Sequence, residues 1–205
     1  MSLSLLGARQ RCPRASTLPN FYFHSAARNN QRHSLINRDR IQAVTMYALI
    51  LTAEMNGVTS FRPKDSEASP FWYTFTVQCT SCRETHPKPV SVSRFEMNEL
   101  SGSRGEANFV WKCKNCKRES SCSIKGAPIP YELSEPAKPQ TLIEFDCRGL
   151  EFTSFSPEGE WLADGVESGT NFEGIDLQDD EWFEYDEKAG DEVSIKELKW
   201  EIRRA

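Results

Sequence analysis

Histidine is scarce in this chain, with three in 205 residues, at positions 24, 33 and 86. His24 and His33 fall in an arginine-rich N-terminal stretch, and His86 precedes Pro87 in a loop-like segment. None is placed to act as a general base beside a nucleophile. No Walker loop, Ser/His/Asp order or paired-carboxylate signature occurs either. No run of 18 apolar residues exists, so no membrane-spanning helix is expected. Cysteine is sparse and odd in number, seven in all, unlike a secreted disulfide scaffold. A sustained 3.6-residue apolar period is also missing, apart from a short helix expected near Asp179–Tyr185.

Four of the seven cysteines stand in matched pairs, Cys79-Thr80-Ser81-Cys82 and Cys113-Lys114-Asn115-Cys116. Two intervening residues let a tight turn aim both sulfurs at one point, and two such turns give four thiolates in a tetrahedron that suits zinc. A site filled by four protein sulfurs has no open position for water or substrate, so the reading is structural and not catalytic. The 30 residues between Cys82 and Cys113 exceed the usual ribbon spacing, which places the turns on two separate hairpins of a larger sheet. Arg83 and Lys117 follow the pairs where a residue tolerant of positive φ is favoured, so local strain is expected there. Arg83, Lys112, Lys114, Lys117 and Arg118 surround the ligands and offset the minus-two charge of zinc with four thiolates.

Charge is unevenly divided. Residues 1–45 hold seven arginines, no lysine and one acid, Asp39, a net +6; residues 46–205 hold 18 basic and 29 acidic residues, a net −11. The acidic balance opposes nucleic-acid binding. The first stretch reads as a disordered or targeting-like tail, or as sequence upstream of a start at Met46. Cys122 and Cys147 alternate with apolar residues in strand-like runs, so buried free thiols and a reducing compartment are expected.

The pattern is mainly β. Phe71–Val77, Asn108–Lys112, Thr141–Phe145 and Val193–Ile202 are aromatic or β-branched runs separated by Pro and Gly clusters, which argues for antiparallel strands. An internal repeat is suggested by shared order. Leu49, Leu51 and Ala53 return as Ile143, Phe145 and Cys147. Thr59-Ser60-Phe61 returns as Thr153-Ser154-Phe155, and Trp72, Val77 and Cys79 as Trp161, Val166 and Ser168. Cys122-Ser123-Ile124-Lys125 returns as Val193-Ser194-Ile195-Lys196. The expected organisation is two similar, packed halves: 46–140 with the metal site and 141–205 without it.

Several segments together resemble the CXXC-motif-containing zinc-binding proteins of eukaryotes: Asn56–Pro63, both cysteine pairs, Gly102–Ala107, Glu144–Glu151, Gly165–Thr170 and Tyr185–Ala189. The resemblance covers about 46–202. It implies a β-rich protein of two similar halves, with zinc, one per chain, on Cys79, Cys82, Cys113 and Cys116. It also implies a cytosolic setting, binding to heavy-metal-associated domains of copper-handling proteins, and no catalysis. The departures are the 45-residue tail, which leaves mitochondrial targeting as the competing localisation, and Arg83 where the family often has Gly.

Other candidates read more plainly as structure. Glu173–Glu192 holds ten acids and one base, Lys188, a solvated face or a dock for a basic partner. Trp182, Phe183 and Tyr185 lie within it, as core pins or partner anchors. The Gly165–Thr170 loop is a self-satisfied turn or one wall of a pocket. The primary reading is a monomeric, non-catalytic zinc-stapled β protein acting through protein contacts. Two alternatives remain: a zinc-containing chaperone that binds small GTPases, and a zinc-stapled methionine sulfoxide reductase type of enzyme with Cys122 or Cys147 as nucleophile.

Overall fold

The computed structural model describes residues 43–102 and 104–205. The tail expected at 1–45 lies outside them except for its last three residues, and β1 begins at Val44, two residues before the expected domain start. All regular structure among the described residues is strand. In chain order the strands are β1 Val44–Asn56, β2 Val58–Pro63, β3 Tyr73–Cys79, β4 Val90–Val92, β5 Asn98–Glu99, β6 Glu106–Ala107 and β7 Phe109–Lys112. There follow β8 Glu119–Lys125, β9 Gln140–Arg148, β10 Leu150–Ser156, β11 Trp161–Gly165, β12 Asn171–Ile175, β13 Trp182–Asp186 and β14 Asp191–Arg204. Every pairing is antiparallel, as the alternating sequence predicts.

The expected short helix is replaced by a turn and β13. Asp180 takes a left-handed φ of 58°, which a helix cannot continue through. Trp182, Phe183 and Tyr185 then pair along β14. Aromatic residues of this kind fit a pleated edge better than an isolated helical turn.

A six-stranded sheet runs β13-β14-β1-β9-β8-β7, and two three-stranded sheets run β10-β3-β4 and β12-β11-β2. The central strands explain the arrangement. On β1, Leu49, Leu51, Ala53 and Met55 are buried at a period of two; on β9, Ile143, Phe145 and Cys147 are. Gly57 and Gly149, with φ of 70° and 78°, turn each strand sharply into its successor. Those successors leave the large sheet, so β2 pairs with β11 and β10 pairs with β3. Aromatic rings fill the space between. Phe145 meets Phe75 edge-on at 5.3 Å, and Trp161 stacks on Phe61 at 5.0 Å and contacts Trp200 at 5.4 Å.

The strand orders are unchanged when β1 is exchanged with β9, β14 with β8, β13 with β7, and the β2-β11-β12 sheet with β10-β3-β4. Strands from 46–140 and from 141–205 are therefore neighbours in all three of these sheets. Some sequence echoes are displaced in this frame. Phe61 stacks on Trp161, and the matching pair is Phe152 on Phe75 at 4.2 Å, not Phe155, which leans on Trp200. Trp72 is exposed whereas Trp161 is fully buried, so those two are not equivalent.

Candidate metal centre

Cys79 is the last residue of β3, and its pair forms the turn that follows; Cys113–Cys116 forms the turn between β7 and β8. The two turns share one hydrogen-bond design. Arg83 N–H donates to the Cys79 carbonyl at 2.9 Å and Cys79 N–H donates to the Glu84 carbonyl at 2.9 Å. Likewise Lys117 N–H donates to the Cys113 carbonyl at 3.0 Å and Cys113 N–H donates to the Arg118 carbonyl at 3.0 Å. Arg83 and Lys117 hold φ of 63° and 61°, the left-handed conformation anticipated from their position. The turns belong to different sheets, not to hairpins of one larger sheet. A metal shared by them fastens the β10-β3-β4 sheet to the six-stranded sheet. The sequence does not show this because β7 and β3 have no partner strand in common.

Four sulfurs converge. The Cys79–Cys116 and Cys82–Cys113 Sγ separations are 3.6 Å, and all four atoms lie within 4.8 Å of one another. A regular tetrahedron with metal–sulfur bonds near 2.3 Å has edges of about 3.8 Å, so the donor set and its span fit zinc. Cys79 and Cys113 are buried, and Cys82 and Cys116 are half-buried, which shields one side of the centre. Two of the thiols differ in how readily they ionise. The Glu84 N–H stabilises the Cys82 thiolate and lowers its pKa to about 7. The Arg118 N–H acts similarly on Cys116, but burial and the neighbouring thiols outweigh it and push that thiol up to about 11. Crowding makes successive ionisations harder, and a bound dication removes that obstacle.

The basic residues around the ligands serve the turns. Arg83 pairs with Glu151 at 2.6 Å, Arg118 donates to Ser81 Oγ at 2.8 Å, and Lys117 Nζ donates to the Lys114 carbonyl at 2.6 Å. Glu151 on β10 is thus a residue of the site to which the sequence alone assigns no role; it appears there only as the end of the Glu144–Glu151 segment. His86 packs edge-on to Trp111 at 5.9 Å, outside the sulfur cluster.

Cys122 and Cys147 are cross-strand partners on β8 and β9, both buried and both free. The hydrogen bond to Cys147, then burial, pushes the Cys122 thiol well up. Neither is placed to meet a solvent-borne substrate. The Gly165–Thr170 loop satisfies its own backbone, with Gly169 N–H on the Gly165 carbonyl at 3.0 Å and Gly165 N–H on the Thr170 carbonyl at 2.7 Å. It also lines a depression of about 260 Å³ with Asn56, Leu133 and Glu192. Within the acidic stretch, Trp182 packs on Phe172 at 5.4 Å, while Phe183 and Tyr185 are exposed.

Comparison with known proteins agrees with this geometry. A family model described as CXXC motif containing zinc binding protein, eukaryotic, matches residues 48–203. A UPF0587 protein of Schizosaccharomyces pombe is 47% identical over 159 residues, covering 78% of this chain and 98% of its own. The CXXC motif containing zinc binding protein of Homo sapiens is 40% identical over 152 residues, covering 74% and 93%. The crystal structure of C1orf123 superposes with a TM-score of 0.72 at 36% identity, over 78% of this chain and 99% of that one. A hypothetical protein from Plasmodium falciparum, 22% identical with a TM-score of 0.68 over 77% and 99%, shares the fold. The chain belongs to the eukaryotic family of CXXC motif containing zinc binding proteins.

Proposed function

We propose that this chain is a non-catalytic protein in which one Zn²⁺, held by Cys79, Cys82, Cys113 and Cys116, fixes a surface used for protein–protein contact. The partner class is the heavy-metal-associated domain of copper-handling proteins, and the setting is cytosolic. The observation that carries the reading is the convergence of four sulfurs, with none replaced by an oxygen or nitrogen donor. Such a shell leaves no coordination position for substrate or water. It also joins two sheets, so the metal governs the shape of the surface around it. One feature supports a reducing compartment and an inert interior: the free cysteines at 122 and 147 are sealed, and free thiols persist where glutathione keeps them reduced.

The test uses the full chain. Metal analysis should give one zinc, and X-ray absorption a sulfur-only shell near 2.3 Å. A purified heavy-metal-associated domain should bind the zinc-loaded chain and lose affinity on chelation or in Cys113→Ser. Zinc-loaded chain that ignores such domains but captures small GTPases would transfer the assignment to the chaperone reading. Turnover of methionine sulfoxide that Cys122→Ser or Cys147→Ser abolishes would make it an enzyme.

A further inference from the structure

The metal corner has a counterpart without thiols. The exchange of strands described above maps the turn after β3 onto the turn after β11, and the β7–β8 turn onto the β13–β14 turn. The backbone repeats in detail. Gly169 N–H donates to the Gly165 carbonyl at 3.0 Å, as Arg83 does to Cys79, and Gly190 N–H donates to the Asp186 carbonyl at 2.7 Å, as Lys117 does to Cys113. Gly169 and Gly190 carry the positive φ, 61° and 73°, that Arg83 and Lys117 carry. Even the strut to the hairpin glycine is kept. Thr80 N–H donates to the Gly149 carbonyl at 3.1 Å, and Val166 N–H donates to the Gly57 carbonyl at 3.0 Å. The four ligand positions therefore correspond to Gly165, Ser168, Asp186 and Ala189. Ser168 stands in the place of Cys82, three residues on from the Cys79 position that the sequence echo gives it.

What fills this corner is a hydrogen-bonded anion. Asp186, 1% exposed, accepts from the Ser168 hydroxyl, from Thr170 Oγ1 at 3.1 Å, and from the N–H groups of Lys188 and Ala189 at 3.0 and 3.2 Å. Ser168 Oγ also accepts from Thr170 N–H at 3.0 Å. These bonds tie the β12-β11-β2 sheet to the six-stranded sheet, the same mechanical junction that the sulfurs make on the other side. A Cβ built on Gly165 would run into Ser168 Oγ and lie 2.8 Å from Asp186 Oδ2. Position 165 is therefore aimed at the centre of the junction.

We infer that these two turns are a thiol-free counterpart of the metal centre, in which the Ser168–Asp186 junction takes the place of the metal as the staple, and that thiols placed at the four positions make it a second zinc site. This does not depend on any partner. Its failure is also distinguishable from failure of the proposed function, because the sulfur tetrad at 79–116 is left intact throughout.

The full chain carrying Gly165→Cys, Ser168→Cys, Asp186→Cys and Ala189→Cys together should bind one zinc more than the parent, with only sulfur in the added shell. A folded variant, judged by near-UV dichroism, with no added zinc or with oxygen and nitrogen donors, overturns the latent site. Single substitutions test the staple, and they decide the matter alone if the four-thiol chain does not fold. Ser168→Ala and Asp186→Asn should speed amide exchange roughly tenfold or more across β11–β12 and β13, with zinc content and the protection of 79–125 unchanged. Unchanged exchange at β11–β13, or an equal loss at 79–125, refutes a local staple.

Discussion

At the scale of single residues, the knuckle turns carry a conformational cost that their side chains reveal. Lys117 sits at φ 61° and is exposed, and its ammonium reaches the Lys114 carbonyl. A non-glycine residue held left-handed costs roughly 1–2 kcal/mol. Glycine removes that strain but loses more entropy on folding. Lys117→Gly is thus expected to be neutral or to stabilise by up to about 1 kcal/mol at constant metal content, read as the denaturation midpoint. A clear loss of stability would mean that the bond to Lys114 outweighs the strain. Arg83 is a different case at φ 63°, because its guanidinium pairs with Glu151, itself largely shielded. Asp186 makes a pH prediction. Its pKa is lowered, first by the Ser168 hydroxyl and then by the Ala189, Thr170 and Lys188 donors, against an opposing contribution from burial. A carboxylate depressed in the folded state stabilises fully above its unfolded pKa, near 4, and loses that contribution as pH falls through the lower folded value. Asp186→Asn should therefore flatten the fall of stability below about pH 4. An unaltered acid limb would show that other carboxylates govern it.

Among the elements, the hairpins bent at Gly57 and Gly149 decide the architecture, because each sends one strand into the large sheet and the next into a small one. At Gly57 a Cβ would lie 2.7 Å from Val193 Cγ1, and the residue holds φ +70°. Gly190 has a similar φ of +73° but open space around it. Gly57→Ala should cost more than Gly190→Ala, roughly 2–3 kcal/mol against about 1, the difference being the clash. Equal costs in chemical denaturation would assign the whole effect to φ. These hairpins also show what was legible beforehand. The cysteine spacing announced the tetrad, because a knuckle is encoded within a few residues. The alternation on β1 and β9 announced strands, because burial on one face imposes a period of two. Which sheet a strand joins is not local, so the placement of the knuckles on different sheets did not show. The sequence echo aligns Ser168 with Cys79 and not with Cys82 because the second pair of turns is written in glycines and hydrogen bonds, with no thiol to fix the register. The acidic, aromatic 179–185 segment read as helical because nothing in it names β14 as its partner.

Across the described residues as a whole, the two three-stranded sheets close on the six-stranded one, and each closure has a corner fastener of different chemistry. On one side four sulfurs span β3 and the β7–β8 turn. On the other a buried carboxylate spans β11 and the β13–β14 turn. Structural zinc sites contribute directly to folding, because the ligand set is assembled only in the folded state and metal binding free energy becomes folding free energy. Chelation should therefore act unevenly. Amide exchange should accelerate in 79–84 and through β7 and β8, while β11, β12 and β13 keep most of their protection, since their junction holds no metal. Cys113→Ser should reproduce the same map at lower stability. The shared interior sets the limit of this independence. Phe145 and Trp161 belong to one continuous core that both closures cover. Stronger chelation or heating should bring the two regions to a common, global exchange rate. Equal acceleration in both regions at the first loss of metal would mean that the core couples the corners fully, and that the carboxylate junction holds only while zinc holds the other side.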